Sequence, residues 1–334
     1  MSRIFAVRAS TLLAITLLAA VPVFAQSPAL PKLKLDPAQT SVSGISSGGY
    51  MAAQLHVAFS SRFPVGMAGI ASGPYDCAEA NVMNALVRCL GNADIPIDAL
   101  AALTRKRATE GLVDPIENLA KARVYVFNGS KDSVVKPAAG QALAKYYAAI
   151  APGATIVQKN DVPAEHAFVT DGPGAECTAK AAPWLNNCGF DLAGAVLSHL
   201  YGKLESRSEK ATGTLHEITQ ADDKLPSLDS KAWVYVPKSC AEGAVCRLHV
   251  ALHGCRHNAL TVGESFVRDA GYNRWADSNR LVVLYPQTGK AAVNACWDWW
   301  GYSSPDYATK KSPQMQAILG MMDRLSIQTS GAAK

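Results

Sequence analysis

A chain of 334 residues is long enough to bury a substantial core, and its 49% hydrophobic and 18% charged residues exclude whole-chain disorder. A formal charge of +5, with no basic run and no aromatic residues interleaved with basic ones, excludes nucleic acid as the expected partner. Beyond residue 25 no apolar stretch is long enough to span a membrane.

At the start of the chain, Arg3 and Arg8 precede the apolar run Leu12 to Val21, and Val23-Phe24-Ala25 offers a cleavage point before Gln26. Residues 1–25 therefore read as a secretory signal peptide. The run is shorter than the roughly 20 residues a membrane anchor needs. Residues 26–37, rich in Pro and Lys, read as a linker, and residues 38–334 as a single catalytic domain. Eight cysteines in an exported chain suggest disulfides. Proximity in sequence suggests Cys77 with Cys89, Cys177 with Cys188 and Cys240 with Cys246, which leaves Cys255 with Cys296. No C-x-x-C pair or Cys/His cluster has zinc-ligand spacing, so no metal is expected.

Thr40 to Ile45 reads as a short strand, and Met51, Leu55, Ala58 and Phe59 follow at helical spacing. Val65 to Ala71, bounded by Pro64 and Gly73, reads as the next buried strand. Asp76 to Arg107 reads as an insertion pinned by Cys77 and Cys89. A strand at Arg123–Phe127, a helix at Pro137–Ile150, a strand at Thr155–Gln158 and a helix at Leu192–Tyr201 come next. The charged stretch Glu205 to Lys210 is either a boundary or a connection. The second half reads as strands Ala232–Val236 and Arg247–Leu252, an amphipathic helix over Ser265–Asn279, a strand Arg280–Tyr285 and a last helix Gln314–Leu325. Strands alternating with helices predict a mostly parallel central sheet covered by helices on both faces.

Candidate chemistry lies on the loops that follow these strands. Gly44-Ile45-Ser46-Ser47-Gly48 is a G-x-S-x-G sequence in the strand–turn–helix setting of a nucleophile elbow. Ser46 is the candidate nucleophile and needs a base. Ser47 follows it and is expected to offer its backbone N–H to an oxyanion. Asp132 follows the strand Arg123–Phe127 by a Gly-containing turn and is the candidate acid. His166 follows the next strand and is the candidate base, in the order Ser, Asp, His. His56 and His199 fall in helix patterns and His216 and His249 in strands, while His257 lies in a loop with no partner motif. Of these, His56, His199 and His249 read as packing or surface residues. Leu252-His253-Gly254-Cys255 ends an apolar strand and reads as the loop that supplies a second oxyanion donor, the N–H of Cys255. Trp297-Asp298-Trp299-Trp300, with Tyr302 and Tyr307, carries more aromatic surface than one core absorbs, so part of it is expected at a binding site.

In an α/β-hydrolase the oxyanion loop ordinarily precedes the nucleophile. Here it follows the serine, the acid and the histidine. That order predicts a circularly permuted α/β-hydrolase fold, with strands after about residue 230 lying beside the one that leads into Ser46. The segments Ser43–Ala52, Gly129–Val135, Leu252–Cys255 and Cys296–Trp299 resemble the esterase-type polyhydroxybutyrate depolymerases, in particular their permuted, single-domain subgroup. The resemblance runs from about Leu35 to the last helix. It implies a secreted serine esterase that hydrolyses polyhydroxybutyrate, related short-chain polyhydroxyalkanoates or their oligomers. Ser46, Asp132 and His166 would form the triad, and Ser47 and Cys255 the oxyanion hole. Trp297, Trp299, Trp300 and Tyr50 would contact the polymer chain. This chemistry needs no cofactor, and no stable membrane association and a monomer are expected. The length leaves no room for a separate polymer-binding domain, so adsorption is expected on the catalytic domain's own surface. Two other readings stay open: a feruloyl or acetyl esterase acting on plant polysaccharide, and a non-catalytic polymer-binding protein on a hydrolase scaffold.

Overall fold

Eleven strands and nine α-helices occur among the residues described by the computed structural model, which are Met1, 32–92, 94–220, 225 and 227–326. The signal peptide expected over 1–25, Met1 apart, and linker residues 26–31 lie outside the described residues. The strands are β1 (Leu35–Ile45), β2 (Gly66–Ile70), β3 (Arg123–Phe127), β4 (Thr155–Lys159), β5 (Phe168–Thr170), β6 (Ala175–Glu176), β7 (Leu185–Asn187), β8 (Thr214–Thr219), β9 (Lys231–Val236), β10 (Cys246–Leu252) and β11 (Leu281–Tyr285). The helices are α1 (Ser47–Ala58), α2 (Ile97–Thr109), α3 (Pro137–Ile150), α4 (Leu192–Tyr201), α5 (Lys238–Ala241), α6 (Ala259–Val262), α7 (Ser265–Asp269), α8 (Tyr272–Asn279) and α9 (Pro313–Leu325).

Eight strands form one sheet in the order β4-β3-β2-β1-β10-β11-β9-β8. The pairs from β4 to β11 are all parallel, and β9 and β8 join antiparallel at the far edge. Both faces are apolar, as parallel strands require. In β11, Leu281, Val283 and Tyr285 enter one core while Val282 and Leu284 enter the other, the period of two expected of a pleated strand. Met51 of α1, Leu143 of α3 and Ile318 of α9 cover one face. Leu192 of α4, Phe266 of α7 and Tyr272 of α8 cover the other. This is the permuted α/β-hydrolase arrangement: β10 comes about 200 residues after β1 in the chain yet lies directly beside it, with Gly44 level with Leu252.

Several elements differ from the sequence reading. β1 starts at Leu35 rather than Thr40, because Leu35 pairs with Cys246 and the Leu33 N–H is held by the Leu325 carbonyl. The end of the expected linker is thus part of the sheet. The continuous helix expected over Ser265–Asn279 is broken into α7 and α8 at Gly271, whose φ of 95° no continuous right-handed helix accommodates. The insertion after Asp76 contains α2 and a π-helical turn, Asn84–Cys89. A small second sheet, β5-β7-β6, follows His166 and was not foreseen. Disulfides join Cys77–Cys89, Cys177–Cys188, Cys240–Cys246 and Cys255–Cys296.

Candidate active site

Ser46 is the residue between β1 and α1, at φ 56° and ψ −123°, a backbone conformation that side chains other than glycine rarely adopt. The glycines around it make that turn possible. A Cβ on Gly44 would lie 2.1 Å from the Gly48 carbonyl oxygen, and one on Gly48 would lie 2.3 Å from the His253 carbonyl oxygen. The elbow therefore packs backbone to backbone, both on itself and on the loop that follows β10.

Asp132 and His166 lie on the loops after β3 and β4. Gly129 lets these loops meet, since a Cβ there would fall 2.2 Å from the Ala164 carbonyl oxygen. Ser130 N–H donates to Val162 O at 2.8 Å and Lys131 N–H to Ala164 O at 3.2 Å. Asp132 is buried, and its Oδ2 accepts from His166 Nδ1 at 2.8 Å. Its Oδ1 accepts the N–H groups of Val134 and Val135 at 2.9 and 2.8 Å. The carboxylate is thus fixed before it meets the imidazole. The Glu165 carboxylate braces the same junction by accepting from Ser133 N–H at 2.7 Å and His166 N–H at 2.9 Å. Burial pushes the Glu165 carboxyl up, but those donors outweigh it and hold it below its ordinary value.

The loop after β10 completes the site. His253 is buried, and burial brings its imidazole down to about 4, against a smaller upward pull from its bond to Gly254. The ring is therefore neutral. Nδ1 donates to Gly254 O at 2.7 Å, and Nε2 accepts from Thr288 N–H at 3.1 Å. The Gly254–Cys255 peptide is planar and trans, so its C=O and N–H point in opposite directions. Pinning the carbonyl on His253 turns the Cys255 N–H away from that ring. Among the described residues neither the Cys255 N–H nor the Ser47 N–H donates to a protein acceptor. Unpaired N–H groups beside a serine are what an oxyanion needs.

Ser46, His166, Gly254, Cys255 and Cys296 line one cavity of about 420 Å³, whose other walls are largely apolar. Trp299 and Trp300 also line it, but the two other aromatic residues expected there do not. Trp297 is fully buried in the core, where Nε1 donates to His253 O at 3.0 Å and its backbone N–H to Ser47 Oγ at 3.3 Å. It steadies both loops from behind. Tyr50 is buried behind Trp299, stacked on it at 4.3 Å, with its hydroxyl donating to Cys89 O at 2.6 Å. Both positions are corrections: neither side chain reaches the cavity.

Several lining residues carry no motif: Leu86, Trp184, Arg256, His257, Val293 and Asn294. Left-handed backbone at Trp184, Arg256 and Asn294 is visible only in three dimensions. His257, read from sequence as a residue without a role, is buried against this cavity with Nε2 unpaired among the described residues. Among the described residues no group of three or more His, Cys, Asp or Glu side chains is placed to hold a metal ion.

No protein-family model matches the chain. It is 49% identical over 308 residues to a poly(3-hydroxybutyrate) depolymerase of Delftia acidovorans, covering 90% of this chain and 62% of that relative's length. It is 35% identical over 319 residues to a polyhydroxybutyrate depolymerase of Talaromyces funiculosus, covering 89% of this chain and 92% of that one. Two solved structures superpose with a TM-score of 0.82 at 34% identity, covering 89% of this chain and 98% of theirs. One is a PHB depolymerase from Penicillium funiculosum, and the other a PHB depolymerase complexed with an R3HB trimer.

Proposed function

Because the chain belongs to the polyhydroxybutyrate depolymerase family, we propose that it hydrolyses the ester bonds of polyhydroxybutyrate, related short-chain polyhydroxyalkanoates and their oligomers. The observation that carries this reading is that Ser46 of the elbow, His166 of the Asp132–His166 pair and Cys255, whose N–H is unpaired among the described residues, line one largely apolar cavity. An apolar cavity with a few convergent polar groups suits an ester of aliphatic units.

The steps follow from the roles of these groups. Ser46 Oγ attacks the ester carbonyl while His166 Nε2 takes its proton. Asp132 holds the Nδ1 proton and stabilises the imidazolium. The Ser47 and Cys255 N–H groups receive the charge on the tetrahedral oxygen. The alcohol leaves with the proton from His166 and an acyl group stays on Ser46. Water, deprotonated by His166, then releases the hydroxyacid.

Val82, Met83, Leu86 and Val87, on or beside the π-helical turn, are exposed at 52 to 60%. Val82 and Leu86 also line the cavity. A cluster of apolar side chains at a cavity mouth suits contact with a solid polyester, so we assign polymer adsorption to this turn. Four disulfides and the family favour an extracellular setting. We keep the reading of a secreted monomer with residues 1–25 removed on export and a single catalytic domain, whose expected start at residue 38 the pairing of Leu35 with Cys246 moves back to Leu35 or before.

Parallel assays on amorphous polymer, soluble hydroxybutyrate oligomers and feruloyl or acetyl esters test the proposal. Release of hydroxybutyrate from the first two is expected. Turnover confined to feruloyl or acetyl esters would reject it.

A further inference from the structure

Among the described residues two cations, Lys180 and Arg256, line the active-site cavity, and no carboxylate does. The charge of Lys180 is already engaged. Its Nζ donates to Ser133 Oγ at 2.8 Å, and it acts on the neighbouring Glu165 carboxylate. Arg256 is different. Among the described residues no carboxylate lies within ion-pairing distance of its guanidinium. Its side-chain partner is the Asn294 amide oxygen at 3.4 Å.

The backbone around Arg256 is held in place. Arg256 sits at φ 57° and Asn294 at φ 51°, both in the left-handed region. The Arg256 N–H donates to Asn294 O at 2.9 Å, and the Cys255–Cys296 disulfide ties the two segments together beside that bond. Strained non-glycine residues persist where the surroundings over-determine them, and they cluster at sites that act on ligands. The result is an exposed guanidinium one residue beyond the proposed oxyanion donor, at an apolar cavity, with no carboxylate partner among the described residues.

The chemistry of the substrate supplies one. In a linear oligomer of hydroxyacids the free carboxylate always lies on the alcohol side of every ester bond. It therefore belongs to the leaving group whichever bond is cut. A planar guanidinium fork fits a carboxylate with two parallel hydrogen bonds. We propose that Arg256 is a specificity-determining residue that binds the chain-end carboxylate of soluble hydroxyalkanoate oligomers, on the leaving-alcohol side of the scissile ester. This rests on the hydrolytic reading above.

The test compares kcat/KM for hydroxybutyrate trimer as the free acid and as its methyl ester, in wild type, Arg256→Gln and Arg256→Lys, with p-nitrophenyl butyrate assayed alongside. At low salt the wild type is expected to favour the free acid by about 3- to 10-fold, mainly through KM, as befits an exposed charge. The preference should shrink towards one at about 0.5 M salt. It should also shrink towards one in Arg256→Gln, while Arg256→Lys keeps part of it. A wild type with no preference, or an Arg256→Gln variant that keeps it, overturns the inference. Cleavage of p-nitrophenyl butyrate with neither trimer cleaved overturns the hydroxyalkanoate reading itself, and this inference with it.

Discussion

Ser46 holds a backbone conformation that costs of the order of 1–3 kcal/mol. The contacts that impose it are backbone contacts, so they should be intolerant of added atoms. Gly48→Ala places a methyl 2.3 Å from His253 O and 2.6 Å from Leu252 O, and neither oxygen can swing aside. We expect kcat to fall at least about 100-fold, the loss typical of a displaced oxyanion donor. Steady-state kinetics with near-UV circular dichroism checks this. Asp132→Asn should keep the fold but lower kcat by roughly 10,000-fold, because an amide cannot hold the Nδ1–H tautomer of His166 as the carboxylate does. That Asp132 would meet His166, and His166 share a cavity with Ser46, was legible in the sequence because each follows a strand at a turn, in the order Ser, Asp, His. Trp184, Arg256 and His257 were not, because their place at the cavity depends on which loops the sheet brings together. The tryptophan run misled in one particular. Trp297 and Trp299 both pack inward, yet only Trp299 reaches the cavity wall, and spacing alone does not separate them.

At the level of elements, the site depends on β10 lying beside β1, and on the Cys255–Cys296 disulfide that ties the loop after β10, proposed to supply an oxyanion donor, to the tryptophan segment 41 residues later. Closing a loop of that length stabilises a fold by about 4 kcal/mol in the chain-entropy picture. The double variant Cys255→Ala, Cys296→Ala should therefore unfold at a clearly lower urea concentration. It should also lose kcat more than it raises KM, because the oxyanion donor is freed while the apolar wall persists. Equal kcat in the two proteins would contradict this. The π-helical turn makes a separate prediction. Met83→Glu with Val87→Glu should lower the ratio of solid-polymer to soluble-trimer turnover several-fold, and an unchanged ratio would remove the turn from adsorption. The regular strands and long helices were readable from periodicity. The break at Gly271 and the small sheet after His166 were not, since a lone glycine is tolerated in many helices and strands of two or three residues carry almost no pattern.

Across the whole molecule, four histidines, His56, His249, His253 and His257, are fully or almost fully buried, and burial holds each imidazole below its ordinary value. Burial takes His56 and His249 down to about 3 and His253 to about 4. His249, on the central strand β10, lies between Ser41 Oγ at 2.7 Å and Ser43 Oγ at 2.8 Å of the neighbouring β1. On unfolding each ring regains its ordinary value near 6.5 and binds a proton below it. Between about pH 6.5 and the folded values, the unfolded chain therefore holds more protons than the native one. Stability must rise with pH through that window and fall as pH drops through it. The urea midpoint should accordingly fall between about pH 6.5 and pH 4, and a level midpoint there would contradict the burial of these rings. The constellation around Ser46 is tested by the soluble hydroxybutyrate released from amorphous polymer by wild type and by folded Ser46→Ala. Steady release by the wild type and a loss of at least about 10,000-fold in the variant are expected. Release by Ser46→Ala within tenfold of wild type would contradict this reading.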